Sequence, residues 1–155
     1  MRARSTLAAP LDAAVQVAKA LGHPTRLRMV AMLQRGPLCV CQLTAVLDAP
    51  SSTVSGHLLE LRRAGVVREE QRGKWVEYRL NDDETVCAVF GPLLAVAARD
   101  GALVRDRGTL DQVTAVPAAI LCEAGLDVAR ASKAAARLAS KAPARRRRPR
   151  AVVRA

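Results

Sequence analysis

The sequence predicts a mainly α-helical fold with one small β-hairpin, and three observations carry that expectation. Apolar residues recur at helical spacing from Leu11 to Leu47 and again from Val54 to Leu61. Gly22, Gly36-Pro37, Pro50 and Gly65 punctuate those runs where helices should start or stop. After Gly65 the period changes to two: Val76, Tyr78 and Leu80 alternate with Trp75, Glu77 and Arg79. Two short helices followed by a hairpin are the parts of a winged helix-turn-helix.

The first helix is expected from Leu11, Ala14, Val15, Ala18 and Leu21 and ends at Gly22. His23-Pro24-Thr25 opens a second, with proline tolerated in the first turn. Gly36-Pro37 stops it, and Leu38 to Val40 reads as a short extended segment. Cys41 then stands near the start of a third helix, packed through Leu43, Val46 and Leu47. A fourth begins near Pro50 or Ser51, with Val54, Leu58 and Leu61 as its buried stripe and Gly65 as a left-handed cap. Val66 to Gln71 and Trp75 to Leu80 form the hairpin around Arg72-Gly73. Asp82-Asp83-Glu84 favours the dipole of a fifth helix running to about Ala98, which Gly91-Pro92 should kink. That helix is apolar around much of its girth, so a second copy of the chain is expected to cover it. The architecture is therefore dimeric through terminal helices.

The chain divides on this reading into four parts. Residues 1–10 are expected to be disordered. Residues 11–98 form the winged helix-turn-helix DNA-binding and dimerisation domain. Residues 99–130 form a helical extension of one or two short helices broken by Pro117. Residues 131–155 form a basic tail, Ala-rich and weakly helical at first and disordered overall.

The chain has 155 residues, a net charge of +11 and a pI near 10.9, which point to a polyanionic partner. Ten of the 25 Lys and Arg residues lie from Arg130 to Arg154, leaving fifteen basic against fourteen acidic residues before them. Local placement of charge must then carry any DNA contact. Four cysteines, no secretory segment and no apolar run long enough to span a bilayer predict a cytoplasmic protein with reduced thiols and no membrane partner. No enzyme signature stands out: there is no Ser/His/Asp order, no phosphate-cradling glycine loop and no HExxH helix. Cys39-Val40-Cys41 is not the CxxC of a thiol oxidoreductase.

Cys39 and Cys41 are the candidate metal ligands. Within a helix i and i+2 side chains diverge, but where an extended residue enters a helix the two thiols can converge. A helix N-terminus also favours the thiolate. Soft thiolates select soft ions, so As(III), Sb(III), Cd(II), Hg(II) or Cu(I) rank above Mg or Ca. Cys87 reads as a packed core residue, and Cys122 is left open as a further ligand. Ser51, Ser52, Thr53, Ser55 and His57, short polar groups at the front of the fourth helix, suit a helix entering the major groove of double-stranded DNA. Arg62 on that helix and Arg72 and Lys74 in the hairpin add positive charge.

Five motifs then come in order: Ala20-Leu21-Gly22-His23-Pro24-Thr25-Arg26-Leu27-Arg28, Leu38-Cys39-Val40-Cys41-Gln42-Leu43, Ser52-Thr53-Val54-Ser55-Gly56-His57-Leu58, Leu61-Arg62-Arg63-Ala64-Gly65, and Gly73-Lys74-Trp75-Val76-Glu77-Tyr78. In these the chain resembles the ArsR/SmtB group of bacterial winged-helix metalloregulatory repressors. The resemblance covers about residues 11–98. It implies a homodimer on operator DNA that leaves when As(III) or another thiophilic metal or metalloid binds Cys39 and Cys41. Arsenite-sensing members often carry a third cysteine where this chain has Thr44, and the family's recognition helix usually has a basic or larger polar residue where this chain has Gly56. Zinc-sensing members use histidines and carboxylates on the fifth helix, whereas the histidines here are His23 and His57. Two other readings remain: a winged-helix repressor that senses thiol redox state, and a DNA-binding protein with no effector.

Overall fold

The computed structural model describes residues 10–141; the expectations for residues 1–9 and 142–155 lie outside that range. Helix α1 (Pro10–Leu21) precedes α2 (Pro24–Leu33), whose start is capped by His23: the ring Nδ1 accepts from the Thr25 N–H at 3.2 Å. Strand β1 (Leu38–Cys39) leads straight into α3 (Val40–Leu47), and Asp48, at φ 50°, closes that helix. Helix α4 (Ser51–Arg63) follows. Gly65, at φ 73°, ends it as expected, with its N–H donating to Arg62 and that of Val66 to Leu61. Strands β2 (Val67–Arg72) and β3 (Trp75–Leu80) form the wing. Helix α5 (Glu84–Ala97) runs continuously through Pro92, and its start is capped by Asp83, whose carboxylate accepts from the Thr85 N–H at 2.9 Å.

The expected two-stranded hairpin is the larger part of a three-stranded antiparallel sheet of order β1-β3-β2. Leu38 pairs with Tyr78 and Cys39 with Glu77, so the thiol segment is hydrogen-bonded to the wing. A strand of two residues is too short to show a period, which is why it reads only as an extended segment in the sequence.

Three more helices follow: α6 (Gly101–Thr114), α7 (Ala118–Glu123) and α8 (Val128–Lys141). The boundary expected between residues 130 and 131 falls inside α8. Ala131 on that helix is fully buried, which ties the start of the segment read as tail to the core. Helix α6 packs on α2 and α3, and α7 packs on α3 and α8. One hydrophobic cluster runs from Val17 through Val54 and Leu61 to Leu110, Leu121 and Ala131. The core is thus continuous across residue 98. The chain turns by 102° between α5 and α6, and no single helix among the described residues is long and apolar enough to cross a membrane.

Gly56, on the exposed face of α4, has ordinary negative-φ backbone, and a Cβ built there would meet nothing within 4 Å. Gly56→Ala should therefore raise stability by about 1 kcal/mol, the usual cost of glycine inside a helix. Thermal melts of the two proteins check this; an alanine variant that melts lower would contradict it.

Candidate effector pocket and nucleic-acid interface

Cys39 is the last residue of β1 and the N-cap of α3, at φ −85° and ψ 166°. Its backbone N–H donates to Gln42 Oε1 at 3.0 Å, half of a capping box that fixes the entry into the helix. Because the backbone passes from extended to helical between them, the side chains of Cys39 and Cys41 converge, with the two sulfurs 2.8 Å apart. Both thiols are free; Cys39 is buried at 3% exposure and Cys41 is half-buried.

Cys39 is not a ready thiolate, despite its place at a helix start. The hydrogen bond with Cys41 pushes the Cys39 thiol well above its ordinary value, and burial pushes it further; the Gln42 backbone N–H opposes this with less effect. Cys39 therefore keeps its proton at neutral pH. A soft ligand must displace that proton, and the reward is two sulfurs already gathered on one spot.

These thiols border a cavity of about 310 Å³. Val40 and Thr44 of α3 line it with them, together with Ser51 at the first turn of α4, Lys74 to Val76 of the wing, and Leu126 from the turn between α7 and α8. Thr44, three residues after Cys41, lines the same cavity. It is 7% exposed, and its hydroxyl is buried without a hydrogen-bond partner. Cys122 is half-buried on α7 and is not among the lining residues; Cys87, expected in the core, is exposed on α5. Among the described residues no group of three or more His, Cys, Asp or Glu side chains forms a metal cluster.

The expected DNA-facing residues divide into two sets. Ser51, Ser52, Thr53 and Ser55 are exposed along the front of α4. His57 is half-buried, and its ring lies against His23 with centroids 4.6 Å apart, which ties α4 to the start of α2. Arg62 is held in an ion pair with Glu69 of the wing. Arg72 lies 3.7 Å from both Glu70 and Glu77, and the Lys74 ammonium sits 5.8 Å from the Trp75 ring centroid. Sequence reasoning overlooked these acidic partners: Glu69, Glu70 and Glu77 share the wing with Arg68, Arg72, Lys74 and Arg79. The alternation that places them on strands was legible, and it puts opposite charges on paired strands.

Burial lowers the His57 pKa below its ordinary value of 6.5, and nearby His23 and Arg26 lower it further. Its neutral form is the one the fold favours. The contribution to stability is present above the unfolded value and is lost as pH falls through the lower folded value. Melting temperature should fall as pH drops below the ordinary imidazole value of about 6.5, and His57→Gln should lessen that fall. An unchanged pH dependence in the variant would place the titrating group elsewhere.

The comparisons with known proteins fit this geometry. A family model described as "Bacterial regulatory protein, arsR family" matches residues 23–69. An arsenical resistance operon repressor of Bacillus subtilis is 38% identical over 80 residues, covering 46% of this chain and 76% of that one. The chain belongs to the ArsR family. The arsenic resistance transcriptional regulator ArsR1 of Pseudomonas putida is 43% identical to this ArsR-family chain over 68 residues, 43% of it and 53% of the relative, so the match spans about half of that relative's length. Among solved structures, Mb0332 of Mycobacterium bovis is similar at a TM-score of 0.51 and 27% identity, covering 59% of this chain and 83% of that one. It is described as a homodimeric winged helix-turn-helix DNA-binding domain. The winged helix-turn-helix reading is therefore correct for this ArsR-family chain, and the family is one of regulators rather than enzymes.

Proposed function

We propose that this chain is a repressor that binds operator DNA as a homodimer and is released when As(III) or a related thiophilic species binds Cys39 and Cys41. One observation carries the reading. The two sulfurs, 2.8 Å apart, share a cavity with Ser51 of the DNA-facing helix and Lys74 of the wing. Cys39 also pairs through its backbone with Glu77 of the wing. Glu77 in turn lies 3.7 Å from Arg72. Binding at the sulfurs must move Cys39, and Cys39 belongs to both the α3 cap and the sheet. The two elements that would grip DNA are thus the walls of the effector pocket. Such coupling need not be strong: about 1–3 kcal/mol weakens DNA binding by roughly 5- to 150-fold.

The expected operator is an inverted repeat with half-sites about one helical turn apart, because a twofold dimer presents two copies of α4. Selection from a random duplex library, followed by footprinting, tests this. Affinity should fall steeply with salt as arginines and lysines displace counterions. Deleting residues 143–155 should reduce the salt slope and keep the sequence preference. If the preference vanished with the tail, α4 would not be the reading element and an effector-free, tail-driven DNA binder would replace this account.

The dimer is expected to form through α1 and α5. These helices pack together, and both leave large apolar side chains in the open: Leu11 at 74% exposure, Leu93 at 42% and Val96 at 87%. Val96→Glu should place two like charges near the twofold axis and yield monomers by sedimentation at micromolar concentration. A Val96→Glu dimer as stable as wild type would move the interface elsewhere.

The 2.8 Å sulfur separation also favours a second reading, reversible oxidation of the pair. Stoichiometric binding of arsenic at fixed reducing potential, with release of DNA, separates the first reading from this one.

A further inference from the structure

Resting on the thiol trigger proposed above, we propose that this pocket takes a trivalent arsenical with one organic substituent, R–As(OH)2, and that Leu126 sets the preference. Trivalent arsenic makes three bonds. Two sulfurs are available, and Thr44, three residues after Cys41 on the same wall, offers a hydroxyl and no third thiol. No other thiol lines the cavity. The third substituent on arsenic must therefore come with the ligand.

The cavity selects what that substituent is. Its volume of about 310 Å³ is far more than a hydroxyl group needs. The pocket is open to solvent on one side, so selection rests on what its walls present rather than on how much of it a ligand fills. Val40, Trp75, Val76 and Leu126 supply apolar wall, which suits a methyl or phenyl group and gives a hydrated cation little.

Leu126 is fixed in an unusual way. It has φ 68°, directly after Gly125 at φ 67°. A left-handed leucine is disfavoured by the crowding of its Cβ, so the surroundings must hold it. Its N–H donates to the Leu121 carbonyl at 3.0 Å, and its side chain packs on the core. Helix α7, which precedes it, rests on the thiol-bearing α3. Leu126 is far outside the stretch matched by the family model, yet it lines the thiol pocket. On this view the extension after α5 is the specificity element of the sensor.

The chemistry balances without an oxidant or reductant. Two As–S bonds form and two As–O bonds break. Each thiol proton leaves with a hydroxyl, giving two waters, and arsenic stays trivalent.

The test is calorimetric titration of the reduced full-length chain with phenylarsenous acid and, separately, with sodium arsenite. Phenylarsenous acid should bind at least about tenfold more tightly, as expected for an apolar group filling a matching pocket. Leu126→Ala should weaken phenylarsenous acid by about tenfold and leave arsenite unchanged. Val76→Ala, at an exposed strand position, should act in the same direction and serves if the Leu126 variant does not fold. Thr44→Cys should tighten arsenite and narrow the gap. Equal affinities in wild type, unmoved by either wall substitution, would overturn the proposal. The thiol trigger would still stand if Cys39→Ser and Cys41→Ser abolished both titrations. Retention of phenylarsenous acid by both serine variants would instead overturn the thiol trigger itself.

Discussion

Cys39→Ser and Cys41→Ser should each bind operator DNA like wild type and lose release by trivalent arsenic, a change of roughly 5- to 150-fold in the response. Serine keeps the size and the local hydrogen bonding of both positions, including the backbone bond from Cys39 to Gln42. It removes the soft sulfur that arsenic requires. Fluorescence anisotropy of labelled operator, titrated with arsenical, reads both properties in one experiment. Cys87→Ser and Cys122→Ser should respond like wild type, because neither residue borders the cavity. If Cys39→Ser and Cys41→Ser both still released DNA, the site assignment would be wrong.

The second large effect lies far from the thiols. The Arg28 guanidinium on α2 holds the Asp106 carboxylate on α6 with two bonds of 2.7 Å, and Asp106 is 4% exposed. That hydrogen bond and the carboxylate charge hold the Arg28 pKa above its ordinary value, with burial opposing them. Removing the acid would leave a guanidinium, 30% exposed, facing a lost partner. Asp106→Ala should cost about 2–3 kcal/mol, less than breaking a fully buried pair because Arg28 keeps some water. Urea denaturation should show a lower midpoint with an unchanged slope. Arg28→Met combined with Asp106→Leu should recover much of the loss, since an apolar pair leaves no stranded charge. A midpoint for Asp106→Ala equal to wild type would mean that this ion pair contributes nothing to holding α6.

Both results bear on what could be seen in the sequence. The helices from Leu11 to Leu61 were legible because Val54, Leu58 and Leu61 recur at helical spacing and Gly65 stops them. The wing was legible from the alternation of Trp75 to Leu80. The convergence of Cys39 and Cys41 followed from placing an extended residue at a helix start. The Arg28–Asp106 pair was not legible, because it joins residues 78 apart with no local signal. Leu126 was hidden for another reason: local propensity argues against a left-handed leucine, and only the packing of α7 and α8 requires one. Cys39 shows the limit of a local electrostatic argument. Its place at a helix start favours the thiolate, but the neighbouring Cys41 and burial outweigh that.

The most direct test of the account uses Trp75, the single tryptophan of the chain and a wall of the thiol cavity. Trp75 emission and operator anisotropy would be recorded together while reduced protein on labelled operator is titrated with arsenite and, in parallel, phenylarsenous acid. Both signals should change together and saturate at one arsenic per protomer. Release of DNA with Trp75 emission unchanged would contradict this, because the trigger would then lie outside the pocket formed by Cys39, Cys41 and the wing.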